Sequence, residues 1–403
     1  MSSDREPFVV VGGDAAGLSA ASKCKREDPD REVVVYEKGS WVSYAHCGTP
    51  YFVKGEVEKL EDLLSLAPGE IAERGIDLRR NHEVLGVDTD ARTVRVAGPD
   101  GEFEQPYGDL LVATGARALT SPVDGTDLDG VHTLHGLDAA AGIRAHLLDP
   151  GTDHLADVGG EDFVDREHVE RYGAMDPPET VAIVGGGYVG IEMAEAFSTH
   201  QCDVHLFQRG AHTLRPFGEA VAERVEAELS ECGVTLHLST EVAELTGDGG
   251  GRVEHLVCTG GTELDTELAL VGVGIRPNTE LVADEPVETG SGGAIEVDDH
   301  GRTGVDGVYA AGDCATMEHA VTGEPEWVPL GLTANRAGRA IGSTVAGDPE
   351  PVGTIAGTGV LKAFDCEAGR TGIVDPDRAR EAGFDPVRET VTAGSRSGYY
   401  PGG

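Results

Sequence analysis

Lysine is scarce in this chain, and basic residues as a whole are far outnumbered by acidic ones. Of 403 residues, 72 are Asp or Glu and 31 are Lys or Arg, which gives a formal net charge of −41 at pH 7. A surface this negative repels phosphate backbones and anionic lipids, so the composition argues against nucleic-acid and membrane partners. Because high salt screens such self-repulsion, the same balance indicates a protein from a halophile.

Long apolar runs are missing as well. No stretch of about 18 apolar residues occurs, and the N-terminus passes directly into a strand-like run without the apolar core of a signal peptide. We therefore expect a cytoplasmic protein. The seven cysteines are scattered and form no C-x-x-C pair, which argues against a disulfide framework and against a metal site.

Glycine is abundant, with 58 residues, and two glycine-rich segments each follow a short β-branched run. The first run, Phe8–Val11, predicts a buried strand that turns into a helix. Such a turn presents backbone N–H groups and a helix N-terminus to a pyrophosphate. Asp14 occupies the place of the usual middle glycine, but Glu37 ends the next predicted strand, where an acid accepts hydrogen bonds from an adenosine ribose. The alternative is a plain βαβ unit with an ordinary surface Glu37. The residues assigned to this loop are Gly12, Gly13, Ala16 and Gly17.

The second segment contains the full G-x-G-x-x-G pattern at Gly185, Gly187 and Gly190. The strand that follows ends in Gln208 and Arg209, so the acid that usually holds the ribose hydroxyls of NAD is absent. Arg209 either meets the 2′-phosphate of NADPH or is a solvated surface residue. The pattern slightly favours NADPH, or use of both nicotinamide cofactors.

Cys47 lies just before a predicted helix that starts near Pro50. A helix N-terminus lowers the pKa of a thiol and favours the reactive thiolate. By residue type alone, a single cysteine after a loop is more often structural than catalytic. His46, its neighbour, is either an acid–base group or an exposed loop residue.

Seven motifs along the chain match one family in its usual order. They are GGDAAGLSAA at 12–21, SYAHCGTPY at 43–51, LLVATGARA at 110–118, GGGYVGIE at 185–192, GVGIRPN at 272–278, VYAAGDCA at 308–315 and VPLGLTANRAGRAIG at 328–342. On these motifs the chain resembles the FAD-dependent pyridine nucleotide-disulfide oxidoreductases over about residues 8–400. Within that family it is similar to the single-cysteine branch of coenzyme A-disulfide reductases and related NADH oxidases. The resemblance makes Cys47 the expected redox centre.

The resemblance implies an α/β fold with two Rossmann-like dinucleotide-binding domains and a short α+β C-terminal dimerisation segment. The expected FAD-binding domain comprises residues 1–148 and 272–347, the NAD(P)H-binding domain residues 149–271, and the partial dimerisation domain residues 348–403. In the family, the residues that correspond to Gly12, Gly13, Gly17, Glu37 and Lys38 hold the adenylate half of FAD, those matching Thr114 and Gly115 close its pocket, and the one matching Asp313 binds the flavin chain.

Two further residues take roles from the resemblance. Tyr188 corresponds to the family's gate over the nicotinamide face of the flavin. Glu192 corresponds to its buried acid near that ring, and we expect Lys54 to be the partner of Glu192. NADPH or NADH would then occupy the loop formed by Gly185, Gly187, Gly190, Gln208 and Arg209.

The electron acceptor is the open question at this point. In the first alternative Cys47 forms a mixed disulfide with coenzyme A or a similar small thiol. In the second, dioxygen takes the electrons and Cys47 cycles through a sulfenic acid. A third, of another class, is a nucleotide-binding redox sensor without turnover. Ala15 stands where the peroxidase-like relatives carry a histidine, which favours disulfide reduction.

A basic cluster at the end of the first predicted helix also favours a coenzyme A substrate. By resemblance, Lys23, Lys25 and Arg26 would contact the phosphates of coenzyme A, with Ser43 and His46 near the thiol end. Favourable capping of the helix C-terminus by cations is the competing explanation.

The C-terminal segment departs from the family's pattern. The family's dimerisation domain continues past the YYPG motif, whereas this sequence stops there, so about half of that domain is expected to be missing. In relatives the second subunit lends tyrosines to the coenzyme A site, and Tyr399 or Tyr400 would serve here. We expect a homodimer, with its assembly in doubt.

Overall fold

The computed structural model describes residues 5–121, 123–154 and 163–391. Its helices, numbered in chain order, are α1 (Ala15–Glu27), α2 (Thr49–Lys54), α3 (Pro68–Glu73), α4 (Leu137–Leu147), α5 (Arg166–Gly173), α6 (Tyr188–Thr199), α7 (Glu219–Glu231), α8 (Gly331–Ala346) and α9 (Pro376–Glu381). Short 3₁₀ turns lie at His46–Gly48, Leu60–Leu63, Arg215–Phe217, Glu280–Val282 and Ser291–Gly293.

The strands are numbered in the same way. They are β1 (Phe8–Val11), β2 (Val33–Glu37), β3 (Asp77–Arg80), β4 (Glu83–Asp88), β5 (Thr93–Gly98), β6 (Gly101–Pro106), β7 (Asp109–Val112), β8 (Ala116–Ala118), β9 (Val131–His132), β10 (Thr180–Val184), β11 (Asp203–Gln208), β12 (Thr235–Leu238), β13 (Val242–Gly247), β14 (Val253–Cys258), β15 (Glu263–Asp265), β16 (Leu268–Val271), β17 (Ile275–Pro277), β18 (Val308–Ala310), β19 (Met317–Glu318), β20 (Pro325–Glu326), β21 (Gly359–Ala363) and β22 (Cys366–Arg370).

The first sheet is parallel and has the order β18-β7-β1-β2-β3. Apolar side chains cover both faces of its central strands, which explains why β1 is a continuous valine-rich run without alternation. Helices α1 and α8 pack together against one face, and glycines permit their close approach. A Cβ added at Gly338 would lie 2.2 Å from the carbonyl oxygen of Ala16. This packing fixes the N-terminus of α1 at the carboxyl end of β1.

The second sheet is also parallel, with the order β12-β11-β10-β16-β9. It confirms the predicted α/β class with two Rossmann-like units. The domain bounds themselves remain a prediction. Strand β9 pairs with this second sheet although it lies before residue 149, where the expected NAD(P)H-binding domain begins.

Smaller antiparallel units flank the two parallel sheets. Strands β4-β5-β6 and β13-β14-β15 form three-stranded sheets, and β21 and β22 form a hairpin. This C-terminal hairpin packs on α6 and α7, which follow the second glycine loop. Among the described residues, no helix combines the length and the apolar character that crossing a bilayer requires.

Candidate functional site

The first glycine loop has the geometry of a dinucleotide cradle. Gly12 has a φ of +114°, and a Cβ there would lie 2.1 Å from the carbonyl oxygen of Ala113. A Cβ at Gly17 would lie 1.9 Å from the carbonyl oxygen of Gly12. Only glycine fits at either position, so the backbone N–H groups at the start of α1 can approach a pyrophosphate closely.

Glu37 lies at the end of β2, beside this loop. Its carboxylate accepts hydrogen bonds from the backbone N–H groups of Gly13 and Gly39, each at 2.8 Å. This fixes the acid at the place where the ribose of an adenosine would lie, so the cradle and its donor set fit FAD. Lys38 is exposed next to Glu37, and Ala16 is buried within α1.

Thr114 and Gly115 follow β7 and are tied to the segment after β17. The Thr114 hydroxyl donates to the carbonyl oxygen of Asn278 at 2.5 Å, and the Asn278 side-chain amide donates back to the Thr114 carbonyl at 2.9 Å. The Asn278 N–H also donates to Gly115 at 2.9 Å. Asn278 is thus a support of the predicted pocket that the sequence did not single out, although it ends the GVGIRPN motif.

Asp313 follows β18 and lies partly buried at the same edge of the sheet. Burial raises the pKa of its carboxyl, while His46 opposes that rise. Cys314 is fully buried, and its thiol donates to the Val112 carbonyl at 3.4 Å, as expected for a small structural residue.

Cys47 is exposed and lies in the 3₁₀ turn immediately before α2, as the sequence predicts. The expectation of a lowered thiol pKa is wrong for this structure. Although the side chain reaches the surface, partial desolvation by the surrounding groups, followed by the negative charge of Glu192, raises the pKa of Cys47. A six-residue helix is too short for its dipole to outweigh these two effects.

Glu192 and Tyr188 lie on the first turns of α6. Burial, and then the charge of Glu195, raises the pKa of Glu192 to about 7. The Tyr188 ring packs edge-on against Phe217 with the centroids 5.3 Å apart, and the Arg370 Nε lies 3.4 Å from its hydroxyl oxygen. The predicted gate therefore contacts the C-terminal hairpin.

The expected pair of Lys54 with Glu192 is wrong. Lys54 instead lies 2.7 Å from Glu195 and 2.5 Å from Glu56. The reason is the packing of α2 on α6, which brings the end of α2 to the next turn of α6. Glu195 also accepts a hydrogen bond from the Phe364 N–H at 2.9 Å.

The second glycine loop repeats the first cradle at the end of β10. Cβ atoms at Gly185 and Gly190 would lie 2.3 Å and 2.0 Å from the carbonyl oxygens of Gly272 and Gly185, whereas at Gly187 nothing lies within 4 Å. Gln208 accepts a hydrogen bond from the Gly186 N–H at 2.9 Å.

Arg209 projects from this second unit into solvent. Its side chain is 76% exposed, and its nearest acid is Glu241 at 3.7 Å. A cation so weakly paired is available to an anionic ligand.

The structure divides the predicted basic cluster. Lys23 pairs with Glu27 at 2.6 Å, and the Lys25 ammonium donates to the carbonyls of Pro29 and Arg31 at 2.6 and 3.0 Å. Capping therefore accounts for part of the cluster. Lys25 and Arg26 also line a cleft of about 320 Å³, together with Ser22 and Arg74.

Arg74 is a residue that the sequence analysis missed. It follows the last residue of α3, and its Nη1 lies 3.4 Å from the Ser22 hydroxyl. Its separation of about fifty residues from α1 gave no signal in the sequence. Because α3 contributes it, the cleft is more than a capped helix end.

Ser43 and His46 both lie against the first glycine loop. Ser43 has a φ of +53°, is buried, and donates its N–H to the Gly13 carbonyl at 3.0 Å. The His46 ring contacts the carboxylate of Asp14. Tyr399 and Tyr400 lie outside the described residues.

A family model described as pyridine nucleotide-disulphide oxidoreductase matches residues 6–329. The chain belongs to this family. The family uses FAD and NAD(P)H, so the predicted cofactors and the predicted class of enzyme, an FAD-dependent pyridine nucleotide-disulfide oxidoreductase, are confirmed.

Three proteins that are similar to this oxidoreductase in sequence or structure illustrate the activities of its relatives. An NAD(P)H coenzyme A polysulfide/persulfide reductase of Pyrococcus horikoshii is 37% identical over 99% of the chain and 82% of its own length. A coenzyme A disulfide reductase of Staphylococcus haemolyticus is 26% identical over 98% and 82%. The solved structure of a water-forming NADH oxidase from Lactobacillus brevis, bound to NADH, has a TM-score of 0.81 and 25% identity over 94% and 77%. These names match the predicted main function and its oxidase alternative, and all three are enzymes rather than sensors.

Proposed function

We propose that this flavoenzyme uses NAD(P)H to reduce a disulfide or persulfide of coenzyme A through Cys47. The observation that carries the proposal is the cleft between α1 and α3, which three cations line in a chain of net charge −41. Two of the relatives named above act, by their names, on coenzyme A derivatives.

The cleft suits a polyphosphorylated ligand. Arg26 and Arg74 are exposed at its rim, and guanidinium groups bind phosphate with paired hydrogen bonds. The Lys25 ammonium donates its hydrogen bonds to backbone carbonyls. It therefore adds positive charge to the cleft rather than a direct hydrogen bond to the ligand. Lys23 pairs with Glu27 and does not line the cleft, so it lies outside the proposed substrate site.

Cys47 supplies the sulfur chemistry. Its thiolate attacks one sulfur of the substrate, the substrate S–S bond breaks, and a thiol leaves while Cys47 keeps the other half as a mixed disulfide. A bound FAD would supply the two electrons, taken from NAD(P)H, that reduce this mixed disulfide, and with one proton from solvent the second thiol would leave and the Cys47 thiolate would be regenerated. The first glycine loop supports this assignment, because Gly12, Gly13, Ala16, Gly17 and Glu37 form a cradle that would hold FAD.

The nicotinamide cofactor is proposed to be NADPH as well as NADH. Arg209 is exposed and weakly paired beside the second cradle, where a 2′-phosphate would lie. The second glycine loop holds Gln208 as the first holds Glu37, but an amide carries no negative charge, so Gln208 replaces the missing acid only in part.

We further propose that the enzyme works as a cytoplasmic homodimer. The strongly acidic composition supports a cytosol rich in salt. Light scattering of the purified protein in molar KCl tests the dimer, and a monomeric mass would contradict it.

Dioxygen reduction is the second candidate function. The absence of a histidine at Ala15 argued against peroxide-type chemistry, but the structure brings His46 to this loop from another position. The likeness to an NADH oxidase structure points in the same direction.

Turnover under argon separates the two functions. We expect NADPH consumption with coenzyme A disulfide or persulfide without oxygen, and loss of that activity in Cys47→Ser, which should still pass electrons to a dye. No turnover without oxygen, or full disulfide turnover in the serine variant, would remove the reductase proposal.

The cleft is tested with two disulfides. Pantethine has the same disulfide arm as coenzyme A disulfide but lacks the adenosine phosphates. Arg26→Ala with Arg74→Ala should raise KM for coenzyme A disulfide about tenfold or more while leaving pantethine unchanged. Arg95→Ala, which removes one exposed cation on β5, is the control for each single cleft variant, Arg26→Ala or Arg74→Ala. Equal effects on both substrates would show that the cleft does not bind the phosphates.

A further inference from the structure

Asp14 is the unexplained residue of the first glycine loop. Its backbone is extended, with φ −120° and ψ −151°, so it does not replace glycine for reasons of conformation. A carboxylate at this position is unfavourable for a neighbouring cofactor phosphate unless its charge is directed elsewhere. Its side chain must therefore serve another group.

The carboxylate of Asp14 points to the loop that carries Cys47. One oxygen accepts a hydrogen bond from the Tyr44 N–H at 3.1 Å, and the other accepts one from Nε2 of His46. Both partners lie within three residues of Cys47. Asp14 therefore links the segment that carries Cys47 to the first glycine loop and fixes the orientation of the His46 imidazole.

The surroundings of His46 favour its protonated form. The Tyr44 ring lies 4.2 Å from the imidazole, and the ring of His135 lies 6.1 Å away. Burial alone would lower the pKa of His46, but the hydrogen bond and charge of Asp14, with the charge of Asp313, raise it. His135 is the opposing neighbour, and its own pKa is lowered by burial and by His46, with Lys38 adding to that effect.

We propose that His46, held by Asp14, donates the proton to the sulfur that leaves when Cys47 attacks its substrate. The inference rests on the proposed function. Asp14 is a positioning residue in this scheme. It orients His46 in the same way that the aspartate of a catalytic triad orients its histidine.

The step balances without another reagent. The Cys47 thiolate forms a new S–S bond, the substrate S–S bond breaks, and its electron pair stays on the leaving sulfur. That sulfur takes the proton from Nδ1 of His46, because Nε2 is engaged by Asp14. The neutral imidazole keeps its Nε2–H on Asp14 and regains a proton from solvent.

The leaving group offers a sharp test. An alkyl thiolate such as that of coenzyme A leaves slowly unless it is protonated, whereas a nitro-substituted aromatic thiolate leaves readily without a proton. Pre-reduced, flavin-loaded enzyme is mixed under argon with coenzyme A disulfide or with an aromatic disulfide, and the first thiol released is followed by stopped flow.

We expect His46→Asn to slow thiol release from coenzyme A disulfide about 100-fold and to leave the aromatic disulfide within about twofold. Asp14→Asn should move the alkaline fall in the coenzyme A disulfide rate down by about one pH unit. His135→Asn, a histidine beside the site without a bond to Asp14, should behave as wild type. The flavin content and visible spectrum of each variant are recorded, because a structural defect would change them.

Two outcomes overturn the inference: His46→Asn slows the reaction with both disulfides equally, or it slows the reaction with neither. If wild-type enzyme does not react with coenzyme A disulfide, the proposed function fails by itself, and hydroxyethyl disulfide then takes its place as the alkyl substrate. Loss of its reaction in His46→Asn, with the aromatic reaction kept, would still support the proton donor.

Discussion

Glu192 and Glu195 lie one turn apart on α6, and we predict that the same substitution has opposite effects on stability at the two positions. Burial, and then the charge of Glu195, raises the pKa of Glu192 to about 7 from the ordinary 4.5. Glu195 instead pairs with Lys54 and accepts the Phe364 N–H. Ionised Glu192 thus opposes folding, whereas ionised Glu195 supports it.

The magnitude follows from the pKa of Glu192. The difference between about 7 and 4.5 corresponds to at most about 3 kcal/mol above pH 7. Residual contact with solvent screens part of this, so Glu192→Gln should stabilise the enzyme by about 1–2 kcal/mol at pH 8. Because the folded-state pKa is raised, the gain should fade as the pH falls through 7. It should vanish below 4.5, where the carboxyl is protonated in both states.

Glu195→Gln is the matched control on the same helix. The side chains of Lys54 and Glu195 are 16% and 14% exposed, so their ion pair is largely shielded from water. Loss of the Glu195 charge should lower the free energy of unfolding by about 1–2 kcal/mol. The loss is no larger because Glu56 still pairs with Lys54.

Thermal unfolding of the flavin-loaded variants between pH 5 and 8.5, at constant salt, measures both effects. For domains of this size, each kcal/mol shifts Tm by about 2–4 °C. A Glu192→Gln variant that loses stability at pH 8, or whose stability difference from wild type is independent of pH, would refute the reasoning.

Three further predictions concern other parts of the enzyme. Arg209→Gln should raise KM for NADPH about five- to tenfold relative to KM for NADH; an unchanged ratio in initial-rate assays would contradict contact with a 2′-phosphate. Gly17→Ala should abolish flavin binding, because the added Cβ meets the Gly12 carbonyl at 1.9 Å. Gly69→Ala, where nothing lies within 4 Å, should keep the yellow colour. Burial lowers the pKa of His146 to about 4, so wild-type protein should lose stability as the pH falls from 6.5 towards 4. The Tm penalty of His146→Gln should therefore be smaller at pH 5 than at pH 7.5, and a constant penalty would contradict this.

The sequence was informative wherever a short segment determines its own geometry. The valine run of β1, the glycines after it and the acid at Glu37 are spaced by one βαβ unit, so the cradle follows from local pattern alone. The same holds for the second cradle and for Cys47 before α2. The residues of each pattern lie within about thirty residues of one another, although the carbonyls that Gly12 and Gly185 approach, those of Ala113 and Gly272, come from distant parts of the chain.

Prediction from the sequence was wrong or incomplete where the packing of distant elements determines which side chains meet. Lys54 reaches Glu195 rather than Glu192 because the register of α2 on α6 sets which turn it meets. Arg74 joins the cation cleft because the end of α3 reaches α1, where the Arg74 Nη1 lies 3.4 Å from the Ser22 hydroxyl. No spacing rule connects residues that tertiary packing alone brings together.

The prediction of a lowered pKa for the Cys47 thiol was wrong for a related reason. A helix N-terminus lowers a thiol pKa only if burial and neighbouring charges do not act more strongly in the opposite direction. Here the opposing charge is Glu192, which comes from a helix about 145 residues later in the chain. The two effects are coupled, because a protonated Glu192 no longer opposes the thiolate. With a Glu192 pKa of about 7, acid conditions neutralise this opposition while also protonating the thiol. The thiolate population of Cys47 should therefore rise less steeply with pH than that of an isolated cysteine, and Glu192→Gln should restore the ordinary steepness.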